Sequence, residues 1–447
     1  MSIELARLDA TQFRALIRER EREGFTAPTL DPASLRRLEN VFGRKVSAHD
    51  AVREIVADVR ARGDTALREW TLRIDGIDVA TAQVPAAALE EAWSGVEHPA
   101  RNALVAAAQR LREFHELQVD VTDRGAGGAW LHPTPLSRAG CYVPGGRAAY
   151  PSTVLMSVIP AQVAGVERIV ITSPPATDGG VHPLVAAAAH LLGITEVIAA
   201  GGAQAIAALA YGTESIDRVD KVVGPGNAFV TLAKHEVFGA VGIDQLAGPS
   251  EIVVIASRDA DAELIVADLV SQLEHDPLAW AVCLTDDGPL AAAIAANFST
   301  VAGEAARSEI IATAAGTHAA VVQCGSLDEC LTLAAEFAPE HLSLQGSAAE
   351  ALHGRIRNAG AVFVGAMSPV SIGDYVAGPN HTLPTQGAAR YRGPLAVMDF
   401  VRWPSFVRLS AEEFDALAPV AICLAQAEGL QAHEAAIRAR GGLRERA

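Results

Sequence analysis

The sequence predicts an α/β protein with two parallel-sheet lobes, a helical N-terminal arm and a helical C-terminal tail. Three observations carry this. From about residue 138, apolar runs of roughly four to seven residues end in glycine or proline and lead into alanine-rich helical stretches, the rhythm of a parallel sheet with helical crossovers. The rhythm pauses at Gly248-Pro249-Ser250 and then resumes, which predicts a second sheet. At 447 residues the chain also exceeds what one simple core accommodates.

Taken in order, residues 1–36 are polar and charged, with Arg14, Arg18, Arg20 and Arg22 close together, and read as a short helical arm. Residues 48–116 read as helices and turns, with apolar residues at helical spacing over 51–60 and 100–117. Residues 168–173 predict a strand, 184–192 a helix, and 196–200 the next strand, running through Gly201-Gly202-Ala203-Gln204 into a helix over 205–211. Residues 221–223 predict a further strand, followed by Gly224-Pro225-Gly226-Asn227 and another helix. Beyond residue 250, strands are expected at 251–256, 280–285, 319–322, 342–344 and 361–364. The last sixty or so residues turn polar and helical, a tail rather than part of a sheet.

Bulk properties narrow the function. Half of the residues are apolar (50%) and a fifth charged (20%), which is ordinary globular composition. The formal charge of −17 argues against nucleic acid or an anionic membrane as partner, since both need a basic face. The five cysteines form no CxxC pair and sit in apolar settings, as small core residues of a reduced, cytoplasmic protein do. No signal peptide and no apolar run long enough to span a membrane is indicated.

Four segments pair carboxylate with histidine, a combination that binds metal and moves protons: Ser271–Pro277, Ala338–Leu342, Gly373-Asp374-Tyr375 running on to Asn380-His381, and Glu428–His433. Gln272 and His275, three apart, share a face if 268–274 is helical. Glu340-His341 is a neighbouring acid and base at a loop–strand junction. Asp374 lies in a glycine- and proline-rich loop, and Glu428 and His433 on a helix of the tail. Taken singly, each is equally what a solvated helix face or an ordinary turn supplies. The glycine turns at 145–146, 201–202 and 224–226 could let backbone approach a phosphate, but none fits GxGxxG and no Walker motif is present.

Together these segments resemble the histidinol dehydrogenase family, over about 46–438. The resemblance includes Tyr142-Val143-Pro144-Gly145-Gly146, Pro151–Met156, Gly201–Gly212, Gly224–Val230, Ala247–Glu251, the four segments above, and His381–Thr385. It implies an NAD-dependent, two-step oxidation of L-histidinol to L-histidine through the aldehyde, the last steps of histidine biosynthesis. It also implies one zinc ion per subunit and an intertwined homodimer with shared sites. The metal positions match Gln272, His275 and Asp374 of one subunit and His433 of the other. The catalytic positions match Glu340 and His341. Ser250, Gln272, His275, His341, Asp374, Glu428 and His433 match the substrate positions, and Tyr142, Gln204 and Asn227 the NAD positions. The implied division is an arm (1–36), a Rossmann-like lobe carrying most of the zinc and catalytic residues (37–141 and 248–385), a Rossmann-like NAD lobe (142–247), and a tail reaching the partner's site (386–447). A relative acting on another small polar alcohol, such as a sulfonated diol, would share the zinc shell and Glu340-His341. A non-catalytic zinc-binding relative would have lost that pair.

Overall fold

A computed structural model describes residues 3–23, 32–79, 81–119, 122–145 and 149–441. Residues 24–31 of the expected arm, Gly146 of the 142–146 motif and residues 442–447 of the tail lie outside them. The chain divides into two compact units, residues 1–118 with 136–400, and residues 119–135 with 401–447.

The first unit holds two all-parallel sheets. One runs in the order Glu196–Ala199, Arg168–Ser173, Arg138–Tyr142, Lys221–Val223, Gly242–Ile243. The other runs Ala6–Asp9, Ala319–Gln323, Trp280–Thr285, Glu251–Ala256, His341–Gln345, Ala361–Val364. The central strands are unbroken apolar runs because helices cover both faces, and every residue of Glu251–Ala256 and of Trp280–Thr285 is buried. In each sheet the chain moves outward to one side and then returns to the other. The strand order therefore reverses between Arg138–Tyr142 and Lys221–Val223, and again between Glu251–Ala256 and His341–Gln345.

Three expectations change. Helices Ala48–Arg62 and Asp64–Asp75 pack on Gly202–Tyr211 and Ala228–Val237, while Ala86–Gly95 and His98–Glu116 pack on Pro183–Leu191 and Pro151–Ala164. Residues 48–116 thus clothe the five-stranded sheet, not the lobe built on 248–385. Having no strand of their own, these amphipathic helices bury their apolar stripes on the sheet that the following chain builds. The arm is not purely helical. Ala6–Asp9 is a parallel edge strand, and helix Ala10–Glu23 then buries Phe13 and Ile17.

In the second unit, Ser405–Val407 pairs antiparallel with Ala129–Leu131, which pairs with Arg124–Ala126, while Val401–Arg402 pairs with Thr134–Pro135. The tail therefore contributes strands before its helices, Ala411–Ala427 and Gln431–Gly441. A capping box of Ser410 and Glu413 starts the first of these. Its face bearing Leu417, Val420 and Leu424 is exposed. Cys423 on the same helix is exposed too, whereas the other four cysteines are buried. Among the described residues no helix is long and apolar enough to cross a membrane.

Candidate active site

Helix Leu327–Phe337 stops at Ala338, whose φ of 51° is left-handed, and Pro339 prevents its continuation. The chain then enters strand His341–Gln345 beside the start of Glu251–Ala256, with Ile252 paired to His341. Glu340 and Glu251 clasp each other across this junction. The Glu251 N–H donates to Glu340 Oε2 at 2.9 Å, and the Glu340 N–H donates to Glu251 Oε2 at 3.3 Å. His341 Nδ1 lies 2.9 Å from the Glu251 carbonyl oxygen. A carbonyl can only accept, so Nδ1 carries the proton and Nε2 of the neutral ring keeps its lone pair. That Nε2 is buried without a hydrogen-bond partner, 3.8 Å from Asp374 Oδ1.

Phe363, on the edge strand Ala361–Val364, sets the position of Asp374. A Cβ on Gly373 would meet the Phe363 ring at 2.5 Å, so only glycine lets the short helix Val370–Tyr375 settle there. The same ring lies 6.0 Å from that of His341. Gln272 is buried in the last turn of helix Ala262–Leu273, and the His275 N–H donates to its carbonyl at 3.3 Å. His275 stays open to solvent in the single chain yet is crowded by its neighbours. Ser250, half-buried, precedes Glu251 and accepts the Trp280 N–H through its carbonyl at 2.9 Å.

Burial dominates the electrostatics. It pushes Glu340 well above the usual carboxylate range, against the stabilising Glu251 N–H and together with the charges of Glu251 and Asp374. It raises Asp374 to about 6 with no cation to offset it. It lowers His341 to about 4, against the Glu251 carbonyl and with His275 and His381 nearby, and lowers His275 as well. His381 also falls to about 4, with its Nδ1 2.9 Å from the Asp374 carbonyl and His275 adjacent. Arg20 offsets the charge of Glu251, but no cation among the described residues offsets that of Asp374 beside the neutral imidazoles, the environment a bound cation would stabilise. Among the described residues, no three His, Cys, Asp or Glu side chains converge closely enough to form a ligand cage alone.

The expected NAD-contacting residues lie at the carboxyl end of the five-stranded sheet, where the strand order reverses and dinucleotides bind in open α/β sheets. Tyr142 ends its strand, and its hydroxyl accepts the Gly202 N–H at 3.2 Å. Gln204, fully buried, has its Nε2 3.5 Å from Asp75 Oδ2 and its Oε1 unpartnered. Asn227 caps helix Ala228–Val237, its Oδ1 accepting from Phe229 and Val230 N–H and its amide NH₂ left to donate. Gly224, at φ +112°, presses against Tyr142 so closely that a Cβ would lie 2.1 Å from the Tyr142 carbonyl.

The loop after Asp374 links the two regions. Asn380 Nδ2 donates to the Met156 carbonyl at 2.6 Å and lies 3.4 Å from His115 Nε2, while Thr153 Oγ1 is 3.5 Å from His381 Nε2. Glu340, His341, Asp374 and His275 are thus brought together, and Ser250 and Gln272 lie on the same elements. Glu428 and His433 belong to the second unit, both exposed on its surface. Two residues with a place here were not assigned a role from sequence, Glu251 and His381. Both stood inside recognised motifs, but their parts are played through backbone and orientation.

The histidinol dehydrogenase family model matches residues 42–441. Histidinol dehydrogenase of Parasynechococcus marenigrum is 48% identical over 390 residues, 86% of this chain and 89% of that protein. That of Rhizobium meliloti is 45% identical over 403 residues, 88% and 92%. The crystal structure of histidinol dehydrogenase from Elizabethkingia anophelis superposes with a TM-score of 0.87 at 30% identity, covering 98% of each chain. The chain belongs to the histidinol dehydrogenase family.

Proposed function

We propose that this enzyme oxidises L-histidinol to L-histidine in two NAD-dependent steps, with His341 as proton acceptor and Glu340 as activator of water. The observation that supports this best is the His341 ring itself. Its Nδ1 proton is committed to Glu251, and its Nε2 lone pair is buried and unpartnered next to Asp374. In the first step Nε2 takes the hydroxyl proton of the alcohol while NAD takes the hydride, giving the aldehyde. In the second, Glu340 takes a proton from the water that adds to the aldehyde while His341 returns its proton to the aldehyde oxygen; His341 then takes a hydroxyl proton of the resulting hydrate, and a second NAD takes the second hydride. A carboxylate whose affinity for a proton is raised by burial is a stronger base than a solvated one. A buried site keeps the aldehyde from side reactions between steps.

Gln272, His275 and Asp374, with His433 from a second copy, would hold zinc. The donor types suit it, and the buried carboxylate of Asp374 lacks a cation. Zinc, when bound, would supply a Lewis-acid centre that orients the substrate's nitrogens. Ser250 and Glu428 would complete the substrate pocket, and Tyr142, Gln204 and Asn227 would contact NAD. The exposed apolar face of Leu417, Val420 and Leu424 in the unit that carries His433 supports a homodimer with shared sites. The test is the NADH formed per histidinol consumed. Two supports the reading; one, or inertness toward histidinol beside turnover of another small alcohol, contradicts it.

A further inference from the structure

Arg20 stands near the end of helix Ala10–Glu23, between exposed Arg18 and Arg22, yet it is buried. Its Nε donates to Glu251 Oε1 at 3.0 Å, a second guanidinium nitrogen grips the same oxygen, and the third donates to the Phe337 carbonyl at 2.8 Å. The guanidinium lies 3.9 Å from the Phe337 ring centroid. Glu251 is fully buried, and its carboxylate spends its remaining capacity on two backbone donors: Gln386 N–H at 3.0 Å on Oε1 and Glu340 N–H at 3.3 Å on Oε2.

We propose that Arg20 and Glu251 are a positioning pair that holds Glu340 and His341 in working geometry from the N-terminal helix. This rests on the roles proposed above for those two residues. An ion pair that served stability alone could end anywhere in the core. This one ends on the backbone N–H of Glu340 and on residue 251, whose own N–H and C=O fix the Glu340 carboxyl and the His341 ring. It also holds Gln386, a residue with left-handed φ of 50°, beside Thr385, whose hydroxyl accepts the Gly248 N–H at 2.7 Å near Ser250. The Arg20 charge offsets that of Glu251, so two carboxyl groups clasped at adjacent strand starts do not drive each other apart. Without it the clasp opens, and both the base and the water-activating carboxyl shift.

The test compares Arg20→Met, Glu251→Gln and the double variant with wild-type enzyme, measuring kcat, KM for histidinol and NAD, and the thermal midpoint. Arg20→Met leaves a buried carboxylate unpaired and Glu251→Gln leaves a buried cation unpaired. Each should lower kcat by about 100-fold with both KM values within about threefold, as misplacement of catalytic groups does. The double variant holds a neutral amide that still accepts the Glu340 N–H, and should recover kcat by about tenfold or more over either single variant. If Arg20→Met does not fold, the comparison of Glu251→Gln with the double variant decides. Wild-type kcat in a single variant with only a lowered thermal midpoint, or no recovery in the double variant, overturns the proposal. A His341→Ala enzyme that keeps its turnover would instead remove the base assignment, independently of this coupling.

Discussion

The Nδ1 of His341 lies 2.9 Å from the carbonyl oxygen of Glu251, and this contact decides which nitrogen of the ring can do chemistry. A backbone carbonyl can only accept, so it cannot exchange roles with an imidazole. The tautomer is therefore set by the fold before substrate arrives. Burial disfavours the charged ring, so the imidazole is neutral near neutral pH, as the proposed role of base requires.

Asn227 has two separable tasks. Its side-chain oxygen caps a helix, and its amide NH₂ is the group proposed to meet NAD. Asn227→Ser should keep the cap and the thermal midpoint but raise KM for NAD. Asn227→Ala should raise KM likewise and also lose about 1 kcal/mol of stability. A serine variant with unchanged KM would remove Asn227 from the NAD site.

Asp75 should make stability depend on pH. Burial raises it from 3.8 to about 6, with Arg37 opposing. The native state then binds this proton more tightly than the unfolded chain, so stability is fullest below about pH 4 and falls as pH rises through about 6. Asp75→Asn should therefore stabilise the protein at pH 8, on the order of 1–2 kcal/mol given its partial exposure, and have little effect at pH 4. Denaturant melts at both pH values check this, and a gain of equal size at both would refute it.

His275→Ala should lose bound zinc by elemental analysis and be inactive, and His433→Ala should be inactive by the same loss. Mixed and allowed to exchange subunits, the two should regain up to half of the wild-type activity per heterodimer. One site then carries both lesions and the other neither. A mixture that stays dead, with exchange confirmed by mass, contradicts a site shared between subunits.

Much of the first unit was legible in the sequence because parallel strands buried on both faces leave unbroken apolar runs. Strands Arg168–Ser173, Glu251–Ala256 and Trp280–Thr285 begin and end where those runs do. The placement of helices 48–116 was not legible, since an amphipathic stripe states that it must be covered but not by what. Ala6–Asp9 escaped notice because an exposed edge strand needs no apolar pattern. Arg20 could not be told from Arg18 and Arg22, as burial of one arginine among several is decided by a carboxylate distant in the chain. The Glu340-His341 pair stood out as an acid beside a base. What holds it, the backbone of Glu251, leaves no trace in residue identity.

The central claim divides labour between two neighbours, and separate assays of histidinol and histidinal oxidation test it most directly. His341→Ala should slow both half-reactions, on the order of 10²- to 10⁴-fold, because each loses a proton to the same base. Glu340→Gln keeps the acceptor for the Glu251 N–H but cannot take a proton from water. It should slow histidinal oxidation by a similar factor while leaving histidinol oxidation within about tenfold of wild type. Equal damage to both half-reactions in the Glu340 variant would contradict the account.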